Sequence, residues 1–173
     1  HHIPLFALES KHGLCDFDIL GFTLPYESIY TNVLNILDLA GIPLRSSERG
    51  EEDPLILGGG QACYNPEPMS AFFDAFAIGE GEEVSLEISQ VYRKWKNSGK
   101  PRSDLLLDLA QVPGVYIPSL YDVSYQQDGT IASIAPNQPG VPEKITKRIV
   151  AALPTHPSKF LVPNIEIIHD RMS

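Results

Sequence analysis

The chain has 173 residues, 43% of them hydrophobic and 20% charged, and carries a formal net charge of −9. Length and apolar content suit one globular domain with a real core, while the acidity argues against nucleic acid or an anionic membrane as partner, since both call for a basic surface. Two cysteines, Cys15 and Cys63, are too few for a disulfide framework or an all-cysteine metal site, and no apolar run reaches a membrane span or forms a signal peptide, so a cytoplasmic location is expected.

In chain order, Ile19–Leu24 is a short, mostly apolar run introduced by Asp16 and Asp18. A strand covered on both faces reads this way. Ile29, Val33, Leu34 and Leu37 then recur at helical spacing, predicting a helix from about Tyr26 to Ala40 that ends at Gly41. Ile42–Arg45 is expected to open a further strand, followed by a polar loop from Ser46 to Asp53. Leu55–Leu57 reads as a second buried strand, stopped by Gly58-Gly59-Gly60, and Pro66–Phe73 as a short helix. Ala75–Ile78 is a third buried strand, ending in Gly79-Glu80-Gly81-Glu82.

The strongest helical pattern runs from Glu82 to about Lys96. Its apolar stripe is Val84, Ile88, Val91, Tyr92 and Trp95, with acids at its start and Arg93, Lys94 and Lys96 at its end, both favourable to the helix dipole. Beyond Gly99 and Pro101 the pattern changes. Ser103–Gln111 is a short helix with Ser103 or Asp104 as its cap, and Tyr121–Tyr125 and Thr130–Ile134 flank an Asp128-Gly129 hairpin turn. Gln138–Pro142 looks like an extended linker, and Val162–Ile168 is expected to add a strand.

The order of elements predicts an α/β fold: a three-layer, open, mainly parallel sheet with a C-terminal hairpin extension. Three segments follow from it, an α/β domain over 3–100, a helix-plus-hairpin extension over 101–135 and a linker over 136–173. In such sheets ligands sit beyond the carboxyl ends of the strands. The residues to weigh are therefore Thr23-Leu24-Pro25-Tyr26, Gly58 to Asn65, and Gly79-Glu80-Gly81-Glu82, with Tyr26 and Tyr64 either flanking the same crevice or only packing. The glycines let a ligand approach the backbone or merely permit tight turns. Thr23 offers a hydroxyl to a ligand or caps the next helix. Glu80 and Glu82 suit a helix start, and the glycines between them imply that the backbone fits closely against something, ligand or neighbouring domain. No G-x-G-x-x-G or P-loop follows the glycine cluster. His12, Cys15, Cys63, His156 and His169 show no metal-ligand spacing, and no nucleophile–base or paired-carboxylate arrangement emerges.

Taken together, Asp18-Ile-Leu-Gly-Phe-Thr23, Leu55-Ile-Leu-Gly-Gly-Gly60, Asn65-Pro-Glu-Pro68 and Phe76-Ala-Ile-Gly-Glu-Gly-Glu82 resemble, in order and spacing, the cobalamin-binding-type domain that precedes the catalytic core of many radical SAM proteins. Leu5–Ser10, Tyr30–Arg45, Val112–Pro118 and Ile165–Arg171 are similar to one largely uncharacterised subgroup of those proteins. The resemblance implies a cobalamin-type, flavodoxin-like sheet lacking its first strand. Thr23, Leu24, Gly59, Gly60, Gly79, Glu80 and Gly81 would be its cofactor-facing positions, and no catalytic residue would be its own. It also implies a downstream core bearing Cys-x-x-x-Cys-x-x-Cys, which would hold an iron–sulfur cluster and S-adenosylmethionine and would be this domain's partner. Two departures stand out. The Asp-x-His-x-x-Gly of cobalt-ligating domains is not reproduced by His12-Gly13, and the Ser-x-Leu of the cobalamin pattern becomes Thr23-Leu24-Pro25.

The leading expectation is thus a non-catalytic N-terminal domain that covers the core or holds a corrinoid or substrate. A free-standing flavodoxin-like or nucleotide-binding enzyme and a ligand-free interaction scaffold are the alternatives. A sheet without its first strand is also expected to self-associate through the exposed edge.

Overall fold

In a computed structural model of the chain, which describes residues 5–152, three parallel strands lie side by side in sequence order. They are β1 (Ile19–Thr23), β2 (Leu55–Gly59) and β3 (Ala75–Ala77), and β4 (Val115–Tyr116) pairs antiparallel to β3. The register aligns Phe22 with Gly58, Gly58 with Phe76 and Phe76 with Tyr116. Across this row the aromatic rings pack on one another, with Phe73 bridging Phe22 and Phe76 at centroid distances of 6.0 and 4.9 Å. Gly58 is the gap they fill, because a Cβ there would lie 2.6 Å from the Phe76 ring.

Helix α1 (Tyr30–Ala40) buries Val33 and Leu37, four positions apart on one face. Gly41, at φ +72°, ends it, and the Ile42 amide donates back to the Leu37 carbonyl. Helix α2 (Gly81–Lys96) buries Val84, Ile88, Tyr92 and Trp95, the expected stripe except for half-buried Val91. The Trp95 indole donates to the Pro101 carbonyl at 3.0 Å and thereby fixes the start of α3 (Arg102–Ala110). Strands β5 (Tyr121–Tyr125) and β6 (Ile131–Pro136) form the separate hairpin, turning through Gly129 at φ +84°. The α/β class, the mainly parallel sheet and the C-terminal hairpin are those expected from the sequence. Among the described residues, no helix is long and apolar enough to cross a membrane.

Four local expectations change. Ile42–Arg45 forms no strand and leads instead into a 3-10 turn at Ser46–Glu48. Pro66–Phe73, expected as a short helix, narrows to a 3-10 turn at Glu67–Met69. The residues before Tyr30 are likewise a 3-10 turn, Glu27–Ile29. Neither Ser103 nor Asp104 caps α3, whose N-cap position is Pro101. Val162–Ile168, expected as a strand, lies outside the described residues.

The reason for the first change is the side chain of Arg49. Its guanidinium is buried and donates to the carbonyls of Pro43, Leu44 and Phe72 and, at 2.9 Å, to the carboxylate of Asp74. The backbone of 43–44 thus wraps around a guanidinium instead of joining a ladder. The same Asp74 oxygen accepts from the Ile56 amide at 2.7 Å and lies 3.2 Å from Arg102. Arg102 in turn donates to the carbonyls of Gly50, Asp53 and Pro54. Burial pulls the Arg49 pKa down and the facing carboxylate of Asp74 opposes it. This staple sits at the amino ends of β2 and β3 and leaves the carboxyl ends free for other work.

Candidate functional site

The carboxyl ends of the parallel strands divide into an open part and a closed part. The open part is a cavity of about 230 Å³ between the sheet and α2. Gly21 and Thr23 from β1, Leu57 and Gly59 from β2, and Gly81, Val84 and Ser85 from α2 line it. Three of these are glycines at which an added Cβ would meet nothing within 4 Å: Gly21, Gly59 and Gly81. The missing side chains make a cradle with bare backbone on the sheet face and at the start of α2. Thr23 and Ser85 supply hydroxyls at its wall, and the positive end of the 16-residue helix α2 opens beside it. The acids Glu82 and Glu83 occupy the first turn of that helix, where the dipole favours them.

Of the residues singled out from the sequence, the cradle brings together Thr23, Gly59 and Gly81. Leu24 and Gly60 do something else. Leu24 is 1% exposed; its amide donates to the Gly59 carbonyl and its carbonyl accepts from the Ala62 amide. Gly60, at φ +99°, closes over this backbone, with its would-be Cβ 3.0 Å from the Leu24 oxygen. These two form a tight turn that holds the end of β1 against the end of β2.

Gly79 and Glu80 belong to the closed part. Gly79 has φ +109°, and a Cβ on it would overlap the backbone of Arg148. The Arg148 amide donates to the Ile78 carbonyl at 2.8 Å, and the Glu80 amide donates to the Arg148 carbonyl at 3.1 Å. The Val150 amide donates to the Glu80 carboxylate. Gly114, at φ +87°, lies on the other side of the same slot, where an added Cβ would sit 3.3 Å from the Arg148 nitrogen. The side chain of Arg148 then reaches Glu83 and Glu87 of α2 at 2.9 and 2.6 Å, which pushes its pKa further up. What fits tightly against the Gly-Glu-Gly-Glu turn is therefore the chain's own segment 148–150. Sequence reading found the turn and its need for close contact; a single arginine in a proline-rich stretch gave no sign that it was the occupant.

A second cavity, of about 400 Å³, lies on the hairpin side and shares no lining residue with the cradle. Tyr64, Tyr116 and Tyr121 line it, together with buried Cys63. The Tyr116 hydroxyl donates to the Glu67 carboxylate at 2.6 Å, and burial followed by that bond drives its pKa up. Burial also pushes the Cys63 thiol up to about 11, so it is a packed, protonated thiol rather than a nucleophile. Tyr26, considered with Tyr64 as a flank of one crevice, is exposed and lines neither cavity. His12 packs edge-on against Phe17, before the amino end of β1. Among the described residues, no group of three or more His, Cys, Asp or Glu side chains is placed to hold a metal ion.

The cradle, at about 230 Å³, lies below the usual range for a drug-sized ligand. It lacks the volume for a macrocycle, which falls in the range of pockets several times larger. Among the described residues, no histidine lines the cradle to ligate a cobalt ion. Residues 1–118 match the family described as radical SAM proteins, N-terminal. No curated protein and no solved structure matches the chain.

Proposed function

Because the chain belongs to the family of N-terminal domains of radical SAM proteins, we propose that it is a non-catalytic domain that presents a corrinoid, by its nucleotide tail, to the radical SAM core of the same protein. The observation that carries this reading is the cradle of Gly21, Gly59 and Gly81, open at the carboxyl ends of the parallel strands where an α/β sheet receives its ligand. Backbone at the three glycines would lie against the faces of the tail's ring, and Thr23 and Ser85 would hydrogen-bond its edge. Leu24 and Gly60 would hold the shape of the opening. Gly79, Glu80 and Gly81 would act through the segment they anchor and through the start of α2. The corrinoid, when bound, would supply its cobalt-centred chemistry to the core; this domain contributes binding and orientation. The iron–sulfur cluster and S-adenosylmethionine belong, in this reading, to the core.

Equilibrium dialysis against aquocobalamin and against cobinamide, which lacks the nucleotide tail, tests the assignment. Cobalamin should be retained and cobinamide should not, and Gly59→Val should abolish retention while leaving the fold intact. Equal retention of the two corrinoids, or retention by neither, overturns the corrinoid reading. A ligand-free covering domain is the second reading, favoured by the small size of the cavity, and retention of neither corrinoid is its expected result.

A further inference from the structure

We infer that the tyrosine-lined cavity on the hairpin side is a binding site for a small organic ammonium ion. The inference is independent of the corrinoid reading, because the two cavities share no residue.

Three features support it. The first is that the cavity has walls fixed from several directions. Tyr116 and Tyr121, both buried, pack with ring centroids 5.0 Å apart. The Glu67 carboxylate is held by the Tyr116 hydroxyl, and residues 143–145 form the wall facing them. That wall is pinned at both ends. Before it, the Tyr121 hydroxyl donates to the Pro142 carbonyl at 2.7 Å; after it, Arg148 is locked into the Gly79 slot.

The second feature is the chemistry of the lining. Tyrosine ring faces are electron-rich and attract a cation. Tyr116 is stacked on Phe76 and packed against Tyr121, which leaves exposed Tyr64 as the ring with most open surface. Ile78, Ile131, Ile134 and Ile145 complete an apolar surround suited to the alkyl groups of an ammonium ion. The third feature is charge. Two carboxylates, Glu67 and Glu143, border the cavity against one ammonium, Lys144. Lys144 and Glu143 are exposed, whereas Glu67 is partly buried beside the rings. A chain of net charge −9 adds a favourable field for a cation and an unfavourable one for an anion.

The probes are choline and its neutral isostere 3,3-dimethylbutan-1-ol, titrated against methyl- and tyrosine-labelled protein by NMR. Choline should shift Ile131, Ile134, Tyr116 and Tyr121 signals together, and the isostere should bind about threefold more weakly, the discrimination a solvent-exposed cation–π contact supplies. Tyr64→Ala is safe for the fold, because Tyr64 is 57% exposed, and should weaken choline about threefold. Glu67→Gln keeps the acceptor for Tyr116 and removes the charge, and should weaken choline while leaving the isostere unchanged. The inference is overturned if the isostere binds as tightly as choline, if the shifts map elsewhere, or if choline at roughly 50 mM gives none, well above the millimolar range of a weak small ligand.

Discussion

Arg49 and Asp74, 25 positions apart in the chain, form a buried ion pair at 2.9 Å whose side chains are 0% and 2% exposed. Breaking a buried pair from one side strands the other charge. Asp74→Asn preserves the acceptor for the Ile56 amide but leaves Arg49 and Arg102 facing each other without a counter-charge. Urea unfolding should show a loss of about 3 kcal/mol. A loss below about 1 kcal/mol, the range of exposed pairs, would show that the staple is not what holds the amino ends of β2 and β3.

Three consecutive glycines should give three different outcomes when changed to alanine. At Gly58 the new methyl meets the Phe76 and Phe73 rings, and overpacking should cost about 1–3 kcal/mol. At Gly59 it meets open space, so stability should stay level or rise by about 0.4–1 kcal/mol from the stiffer unfolded chain. At Gly60, with φ +99° and the Leu24 backbone 3.0 Å away, the turn should be strained and the protein destabilised. Thermal unfolding of the three variants reads out the order directly.

Gly79→Ala should expel the 148–150 segment from its slot, because the methyl and the Arg148 backbone require the same space. A clash of about 1–3 kcal/mol raises the detached population roughly five- to 150-fold. Trypsin cleavage at Lys144 and Lys147 should accelerate accordingly, while the sheet keeps its hydrogen-exchange protection. Arg148→Ala, which retains the backbone bonds, should have the smaller effect. Equal cleavage of wild type and Gly79→Ala would mean that the slot does not hold the segment.

The Cys63 thiol, pushed by burial from its ordinary 9.0 to about 11, links stability to alkaline pH. The folded state retains the thiol proton more tightly than the unfolded state. Its contribution is therefore complete below pH 9 and is lost as pH rises through 11. Tyr116 shifts in the same direction, through burial first and its bond to Glu67 second. The urea midpoint should be flat below pH 9 and fall between pH 9 and 11. A midpoint that rises over this window would contradict the buried, neutral thiol. Thiol labelling should modify exposed Cys15 promptly and Cys63 only on unfolding.

Strand β1 pairs with β2 along one edge, and no strand pairs with its other edge among the described residues. An unpaired edge is a template for another chain. Sedimentation of this 173-residue chain should reveal a concentration-dependent dimer, weakened by Ile19→Pro, which removes one edge donor. Asp18 and Leu24 direct their backbone groups at β2, and the alternate positions face the open edge. A strictly monomeric state across the concentration range would count against edge pairing.

How much of this was legible in the residues depended on the range of the interactions. The three parallel strands announce themselves as short apolar runs, their ends read within one or two residues of Thr23, Gly59 and Ala77. The stripe of α2 does so through helical periodicity, and Gly41 and Gly129 through turn chemistry. The cradle was half legible: Thr23, Gly59 and Gly81 follow from their places at strand and helix ends, whereas Gly21 sits inside a strand, where only its neighbours reveal open space. Leu24 and Gly60 were placed with the ligand by the same rule, but their own mutual contact absorbs them. Arg49 reads as an ordinary loop arginine, since its partners lie in segments that only the tertiary fold brings together. Two-residue β4 is too short to show any period, and its pairing depends on the antiparallel return that α3 provides.

The bond from Val150 to Glu80 spans 70 positions, and this separation bears on how the chain is made. Synthesised from its amino terminus, the domain produces strands β1 to β3 and helix α2 well before residues 148–150 emerge. Through that interval the slot between Gly79 and Gly114 stands without its occupant. Long-range closure of this kind is slow relative to local helix formation, so docking of 148–150 is expected to be the last native contact formed around the sheet. A ribosome-bound chain ending shortly before Arg148 would carry an assembled cradle with an unfinished rim.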